Sequence, residues 1–433
     1  MNKIIIIIFL LFITVSCSLD TKSGFWTKNK NFQINKEEKT KKIFRKIKVN
    51  TSEFNKDIKI KFSKQLRNKK NSLNDNNSGL IDYDGNLENI SKYKFSKISR
   101  FNEFEPEFIF RNNNLIFFNN KGSIIKFNNS SQLIWKKNYY SKSEKKLNPI
   151  LFMASYKNTI IVADNLSKYY AINLIDGKII WSKRHRSSFN SQIKIYNNKL
   201  FLVDSENTLI CFSIIDGKKI WELETEQSFI NSPKKLSIIL KNNKVFFNNS
   251  LGDITAVDIT NGSLLWQIST QNSKNYEEIF NLETSDIIGD DKVILFSNNK
   301  NEFYSLDQEN GSINWKQNIN SKLRPTLIGD LLVTISLEGY LYLVNNKTGE
   351  IIRITYIFDR LKEKQKKLTK PEGFIVGKKN IYVTTNNGKL VVVDSETGKS
   401  KSIYNVAKSK LSRPLSLNQN IFIIKNNSII KLN

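Results

Sequence analysis

The sequence predicts an all-β fold, an eight-bladed β-propeller of four-stranded antiparallel blades in which an N-terminal strand closes the last blade. Three observations lead to this prediction. A strand-pair pattern recurs eight times, a turn followed by tryptophan recurs at a similar interval, and the last copy of the repeat is incomplete. Repeats of four short strands with a period of about 40 to 50 residues are typical of propellers.

The strand-pair pattern is an apolar strand, a polar turn and a second, alternating strand. Its copies are 38 to 50 residues apart and begin at Leu115, Thr159, Leu200, Val245, Val293, Leu331, Ile381 and Ile421. Adding one strand before each pair and one after it gives four strands a unit. Because nearly all connections are short turns, leucine-rich and helical repeats are excluded.

Five of the six tryptophans follow the same array. They are spaced by 46, 40, 45 and 49 residues and are Trp135, Trp181, Trp221, Trp266 and Trp315. Asp-Gly or Asn-Gly turns precede four of them, with the glycines at Gly177, Gly217, Gly262 and Gly311. These dipeptides supply the positive φ that tight hairpin turns need. Two later copies keep Gly349 and Gly398 but reach Arg353 and Ser402 instead of tryptophan. We expect the turn glycines and the tryptophans to be structural, packing each blade against the next.

The end of the chain predicts how the ring closes. The eighth unit stops at Asn433, where its turn and outer strand should follow. Before the first unit, the turn at 84–87 leads into an alternating segment at 91–95 that supplies this missing piece. An N-terminal strand would then complete the last blade and leave no unpaired inner edge. We therefore assign the propeller to residues 80–433.

The first residues predict export. Residues 1–16 have a positive start and a short apolar run, as a signal peptide does, and the run is too short for a transmembrane helix of about 20 residues. The segment that ends at Cys17 resembles the bacterial lipobox, which implies lipidation of Cys17. An ordinary signal peptide with an incidental cysteine is the alternative. The lipoproteins that this segment resembles use Asp after the cysteine to stay in the inner membrane, so the resemblance with Ser18 implies the outer membrane, facing the periplasm. The polar residues 17–79 predict a lipid-anchored flexible tether.

Composition sets bounds on the partners. The formal net charge is +28, from 68 Lys and Arg against 40 Asp and Glu. This excess suits an anionic partner, but lysine is spread over the whole chain, which favours a compositional bias. No nucleic-acid-binding motif accompanies the charge, so no nucleic acid is expected. Besides Cys17 there is one cysteine, Cys211, which lies in an apolar run and is predicted to be a buried core residue.

The sequence offers few groups for catalysis. The only histidine, His185, lies in a basic loop and is predicted to be solvated. Carboxylates at strand ends are predicted to be polar turn positions: Asp204, Asp258, Asp307 and Asp394. No Gly-x-Ser-x-Gly elbow and no phosphate-binding glycine loop is present. We therefore predict no catalytic, cofactor-binding or metal-binding residues, no cofactor and no enzymatic activity.

The turn-then-tryptophan repeat resembles that of pyrroloquinoline-quinone-type propellers, over roughly residues 79–433. One class with this repeat is the quinoprotein dehydrogenases, whose propeller holds the quinone and a calcium ion. Their chemistry uses oxygen ligands and commonly a vicinal cysteine pair. This sequence has no vicinal cysteines. A quinone-dependent dehydrogenase is therefore the less favoured alternative.

Taken together, the lipobox, the tether, the eight units and the N-terminal closure resemble the BamB-like lipoproteins of the outer-membrane β-barrel assembly machinery. The resemblance implies a scaffold that binds the POTRA domains of BamA and other subunits and aids insertion of outer-membrane β-barrel proteins. Nascent outer-membrane proteins are a candidate further partner. By position, the docking loops would be 226–234 and 275–286, with no contact residue carried over. The long tether and an insertion at 360–368 depart from the family. A propeller lipoprotein that binds cell wall or lipopolysaccharide remains the alternative.

Overall fold

The computed structural model describes residues 52–63, 66, 79–83, 85–227, 234–270 and 281–433, and these contain thirty-two strands. The predicted signal peptide, Cys17, most of the predicted tether and the central part of both candidate docking loops lie outside these residues. Strand β1 (Asn89–Lys94) precedes the repeat array.

Eight antiparallel four-stranded sheets, one for each blade, follow in chain order. Blades 1 to 4 contain the strands β2 (Ile109–Arg111), β3 (Asn114–Phe118), β4 (Ile124–Phe127), β5 (Leu133–Lys137); β6 (Leu151–Tyr156), β7 (Thr159–Asp164), β8 (Lys168–Asn173), β9 (Ile179–Arg184); β10 (Lys194–Tyr196), β11 (Lys199–Val203), β12 (Thr208–Ser213), β13 (Lys219–Glu224); β14 (Ile238–Lys241), β15 (Lys244–Asn248), β16 (Ile254–Asp258) and β17 (Leu264–Ile268).

Blades 5 to 8 continue the same order, inner strand first. They contain β18 (Ile288–Gly289), β19 (Val293–Asn298), β20 (Glu302–Asp307), β21 (Ile313–Gln317); β22 (Thr326–Ile328), β23 (Leu331–Ile335), β24 (Tyr340–Asn345), β25 (Ile351–Tyr356); β26 (Pro371–Val376), β27 (Asn380–Thr385), β28 (Lys389–Asp394), β29 (Ser400–Asn405); β30 (Leu415–Leu417), β31 (Asn420–Lys425) and β32 (Ser428–Leu432). All eight predicted strand-pair markers begin the second strand of a blade. The predicted eight-bladed propeller is confirmed.

The middle strands of each blade are apolar on both faces, because each blade is packed between two neighbours. In β7 five of six residues are buried, whereas the outer strand β9 is mostly exposed. Apolar clusters join every neighbouring pair of blades around the ring. The core is therefore a ring of interfaces between blades.

The N-terminal strand closes the ring as predicted. Strand β1 pairs antiparallel with β32 and becomes the outer strand of blade 8. Its Tyr93 is fully buried, 5.7 Å from the ring of Phe127 in blade 1 and 6.4 Å from Phe422 in blade 8. Residues from both ends of the chain thus share one apolar cluster, which joins blades 8, 1 and 2.

In blades 1 to 5 a β-bulge in the outer strand directs the tryptophan towards the next blade. In blade 2 Ala171 pairs with Trp181 but Ile172 pairs with Ile179, so the strand register shifts by one residue beside Trp181. Such a bulge increases the local twist. The indole of Trp181 then lies against Gly217, the turn glycine of blade 3, where a Cβ would come within 2.7 Å of the ring. The indole N–H donates to the Ile214 carbonyl at 2.8 Å. Trp221, Trp266 and Trp315 meet Gly262, Gly311 and Gly349 in the same way.

Blade 6 has Arg353 where blades 1 to 5 have tryptophan, and this side chain holds an N-terminal segment. Residues 52–63, here called the strap, lie against blades 6 and 7. Phe54 and Ile354 exchange backbone hydrogen bonds of 3.1 and 2.9 Å, and the Ile60 amide donates to the Glu396 carbonyl at 3.0 Å. Arg353 is fully buried and donates to the Ile58 carbonyl at 2.9 Å. This part of the predicted tether therefore contacts the propeller, and the domain boundary near residue 79 stays a prediction.

Among the residues that the structure describes, two short helices interrupt connections between blades. Helix α1 (Lys142–Lys146) lies between blades 1 and 2 and begins with a capping box from Ser141 and Glu144. Helix α2 (Glu363–Lys366) lies between blades 6 and 7, within the insertion expected at 360–368. No helix in the described part of the chain is long and apolar enough to cross a membrane.

Candidate docking face and channel network

One face of the propeller, here called the loop face, carries every connection from the outer strand of one blade to the inner strand of the next. The turns between second and third strands open on the same face, because antiparallel strands alternate in direction. Both candidate docking loops belong to it, since they follow β13 and β17. Of these loops, residues 226–227, 234 and 281–286 are described.

The inner strands of a propeller surround a central channel. Charged side chains just before these strands form a network at the loop-face end of the channel, here called the channel network: Glu107, Lys235, Asp286 and Arg413. Arg413 of blade 8 donates to Asp286 of blade 5 at 2.9 Å and to Glu107 of blade 1 at 3.2 Å. Lys235 of blade 4 lies 2.9 Å from the same Glu107 carboxylate. The contacts between Arg413 and Asp286 and between Lys235 and Glu107 join blades that are not neighbours. The network therefore ties opposite sides of the ring together.

Mutual attraction keeps this network charged despite its burial. Burial alone would raise the pKa of Asp286, but the Arg413 guanidinium and the Lys235 ammonium outweigh it and hold that pKa well below its usual value. Burial also opposes ionisation of Glu107, and Lys235 and Arg413 again lower its pKa. Conversely, the surrounding carboxylates outweigh burial and raise the pKa of Arg413. Breaking such a pair would leave an uncompensated charge, which is strongly destabilising.

The connection from blade 8 to blade 1 closes over this end of the channel. Its Phe101, Phe104 and Pro106 are buried. Lys235 donates to the Glu105 carbonyl and Lys410 to the Asn102 carbonyl, both at 3.3 Å. Two lysines from other parts of the ring thus hold this loop in place. The channel end at the loop face is therefore lined by fixed, charged side chains.

His185 is not solvated, and that prediction was wrong. Its ring stacks on Phe189 at 5.3 Å and its Nε2 lies 3.1 Å from Asp204, which is fully buried. Ser187 donates to the same carboxylate oxygen at 2.5 Å. The loop folds inward because a buried carboxylate needs hydrogen-bond donors. Burial favours the neutral acid, but the bonds from His185 and Ser187 lower the pKa of Asp204.

This group does not have the geometry of a catalytic triad. In a triad the histidine accepts the proton of the nucleophile, whereas here serine and histidine both bind the carboxylate. Asp204 also accepts the amides of Glu206 and Thr208 at 3.0 Å, so it caps a turn. Among the described residues, no group of three or more His, Cys, Asp or Glu could hold a metal ion.

The other carboxylates and the cysteine are placed as predicted. Asp258, Asp307 and Asp394 each accept backbone amides of the turn that follows their strand, at 2.7 to 3.3 Å. Cys211 is a fully buried residue of β12, and burial raises the pKa of its thiol to about 12. These residues serve the fold.

The outer edges of several blades expose apolar pairs. They are Leu133 and Ile134 in β5, Ile179 and Ile180 in β9, and Leu264 and Leu265 in β17. The equivalent Ile351 and Ile352 of blade 6 are only half-exposed, where the strap pairs with β25. Adjacent exposed apolar residues on a strand edge can pair with a further strand.

Comparison with known proteins agrees with this architecture. Residues 120–355, more than half of the chain, match the family model described as outer membrane protein assembly factor BamB. The chain belongs to this family. Its fold is accordingly that of a propeller with pyrroloquinoline-quinone-type repeats, as the sequence predicted.

Individual relatives are more distant. An outer membrane protein assembly factor BamB from Legionella pneumophila (strain Paris) is 31% identical over 101 residues, which are 22% of this chain and 24% of that protein. The chain therefore matches about a quarter of this curated relative's length.

Two crystal structures show the same fold. BamB from Moraxella catarrhalis has a TM-score of 0.65 at 15% identity, covering 80% of this chain and 100% of that one. The computationally designed Ika8 protein has a TM-score of 0.62 at 12% identity, covering 80% of this chain and 99% of that one.

Proposed function

We propose that the chain is a non-catalytic scaffold lipoprotein of the β-barrel assembly machinery, which binds the POTRA domains of BamA and aids insertion of outer-membrane β-barrels. The observation that carries the proposal is a closed eight-bladed propeller in a chain of the BamB family. Lipidation of Cys17 would hold it on the periplasmic face of the outer membrane, since two or more acyl chains anchor a protein stably.

The loop face suits a rigid platform. Its connections rest on the channel network, which joins blades 1, 4, 5 and 8 through Arg413, Asp286, Glu107 and Lys235. A preorganised surface loses little conformational entropy on docking. The candidate docking loops leave blades 3 and 4 directly beside this network, so we assign BamA binding to them.

The exposed blade edges support the second part of the role, in which nascent strands would pair with them. The strap shows that a blade of this propeller accepts an extended segment, pairing at Ile354, just beyond the bulge. The corresponding edges of blades 1, 2 and 4 expose apolar pairs. An extended outer-membrane segment could add to them by β-augmentation, with main-chain bonds giving affinity and side chains giving selectivity.

Site-specific crosslinking in the intact, lipidated chain tests the proposal. A photo-crosslinking residue at Gln227 or Asn281 on the loop face should capture BamA in detergent-solubilised outer membrane. Asp291 and Ile215, which are also exposed but lie in turns on the opposite face, are the matched controls. Equal capture from both faces, or failure to recover BamA under mild conditions, would refute the docking assignment.

A further inference from the structure

A continuous arc of the loop face runs from helix α2 over blades 7, 8 and 1 to helix α1. We call it the basic arc and define it as residues 362–370, 385–388, 406–410, 95–102, 119–122 and 138–148. Hydrogen bonds connect these segments. The Asn386 amide binds the Leu368 carbonyl at 3.1 Å, and the Val406 amide binds the Gly388 carbonyl at 2.9 Å. Lys410 reaches the Asn102 carbonyl at 3.3 Å.

The same kind of bonding continues to helix α1. Ser99 donates to the Asn120 side chain at 2.8 Å, and Asn120 donates to the Asn148 side chain at 2.8 Å. Asn138 donates to the Lys121 carbonyl at 2.9 Å. The arc is therefore one connected surface, although its segments are far apart in the sequence.

Exposed lysines dominate the basic arc. Nine of them are Lys97, Lys121, Lys142, Lys146, Lys362, Lys364, Lys367, Lys370 and Lys408. The carboxylates of its helices are already engaged, since Glu144 pairs with Arg184 and Glu363 pairs with Lys366 at 2.6 Å. The arc therefore carries a positive charge that its own side chains do not neutralise.

Three turn lysines on the opposite face pair with carboxylates. Lys178 and Lys218 lie 3.4 Å from Asp176 and Asp216 of the same turns, and Lys347 lies 2.9 Å from Asp330. None of the nine lysines of the arc pairs in this way with a described residue, so they differ from these three.

Each helix of the arc is followed by an outward leucine. Leu147 is 61% exposed and Leu368 is 65% exposed. The fold holds them there, because Asn120 fixes the residue after Leu147 and Asn386 fixes the Leu368 carbonyl. Apolar burial and electrostatic attraction to anionic lipid together determine how strongly an interfacial segment binds a membrane, and each end of the arc offers both a leucine and lysines.

We propose that the basic arc rests on a bilayer surface of anionic phospholipid, with Leu147 and Leu368 inserted among the headgroups. A bilayer fits better than an acidic polypeptide, because the charges spread over three blades and the two apolar tips stand at the ends of the arc. The proposal does not rest on the assembly role, since lipid binding requires no partner protein.

Local fluorescence in the full-length chain tests this contact. In a Cys17→Ser background the only other thiol is the buried Cys211, so a polarity-sensitive dye can be attached at Leu147→Cys or Leu368→Cys. Ile215→Cys, at a residue 73% exposed on the opposite face, is the matched control. The dye reports only its own surroundings, so insertion of the N-terminal segment does not mask the result.

Vesicles of phosphatidylcholine are compared with vesicles in which about a third of the lipid is phosphatidylglycerol, since anionic lipid attracts basic segments. On anionic vesicles we expect blue-shifted emission and quenching by brominated lipid at positions 147 and 368, and neither at position 215. Each Lys→Gln change at Lys142, Lys146, Lys364 or Lys367 should weaken docking about fivefold. The control changes Lys178→Gln and Lys218→Gln should leave it unchanged.

Three outcomes would overturn the proposal. One is the absence of a shift at positions 147 and 368 on anionic vesicles. Another is an equal response on pure phosphatidylcholine or at position 215. The last is a response to soluble POTRA domains without one to vesicles, which would assign the arc to a protein partner.

Discussion

Arg353 is predicted to hold the strap, and replacing it should release the strap before the propeller unfolds. Its guanidinium donates to the Ile58 carbonyl of the strap at 2.9 Å and also to the Glu396 carbonyl of blade 7. A hydrogen bond to a charged group contributes about 1.5 to 3 kcal/mol. Loss of the Ile58 bond in Arg353→Met should therefore favour opening of the strap by about 2 kcal/mol, or about thirtyfold.

Native-state hydrogen exchange measures this opening directly. The reporting amides are those of Ile60 and Ile354, which bond across the contact at 3.0 and 2.9 Å. Arg353→Trp, which restores the residue of blades 1 to 5, should also release the strap while keeping a filled interface against Gly398. The matched control is Arg360→Met, because Arg360 donates to the Ser400 carbonyl of blade 7 at 2.7 Å. Unchanged exchange at both amides, or an equal rise throughout the core, would refute the reasoning.

Three further predictions concern the ring itself. Trp221→Ala should destabilise by about 3 to 5 kcal/mol in urea unfolding, because the indole fills the space against Gly262; a loss below 1 kcal/mol would contradict a packing role. Tyr93→Ala should cost a similar amount and expose β1 to proteases, whereas equal cleavage in both proteins would argue against closure by β1. Asp286→Asn should cost about 3 to 5 kcal/mol at pH 7. Because the folded-state pKa of Asp286 is lowered, its contribution exists above the unfolded-state value of about 4 and declines below it. The difference between wild type and Asp286→Asn should thus shrink on acidification, and a constant difference would contradict it.

The blade count and the closure could be predicted because their determinants are local and repeated. The Asp-Gly and Asn-Gly turns before four of the tryptophans each mark a hairpin, and the alternating segment at 91–95 resembles the outer strand of the other units. The bulge before each tryptophan could not be predicted, because the two residues between the turn and the tryptophan do not show which of them is left unpaired.

Polar contacts between residues far apart in the chain could not be predicted from the sequence. Arg413 and Asp286 are 127 residues apart, and nothing in either segment indicates that they meet across a channel. The sequence predicts a flexible tether for the strap, because its apolar residues show no sustained helix or strand periodicity. Arg353 gave a signal, since it breaks the tryptophan repeat, but a single substitution does not identify the carbonyls that it binds. The same limit applies to His185. Its basic neighbours predict a solvent-exposed side chain, and its partner Asp204 lies in another turn.

The two proposed surfaces lie on opposite sides of the same closed ring. The candidate docking loops connect blades 3, 4 and 5, whereas the basic arc is centred on blade 8, which is half the ring away from blade 4. In an eight-bladed propeller that separation lets a membrane and a protein contact the loop face at the same time. The channel network spans the distance between them, since Arg413 beside the arc binds Asp286 in a candidate docking loop. A rigid link of this kind would fix the orientation of a bound partner relative to the bilayer, which is the task of a scaffold.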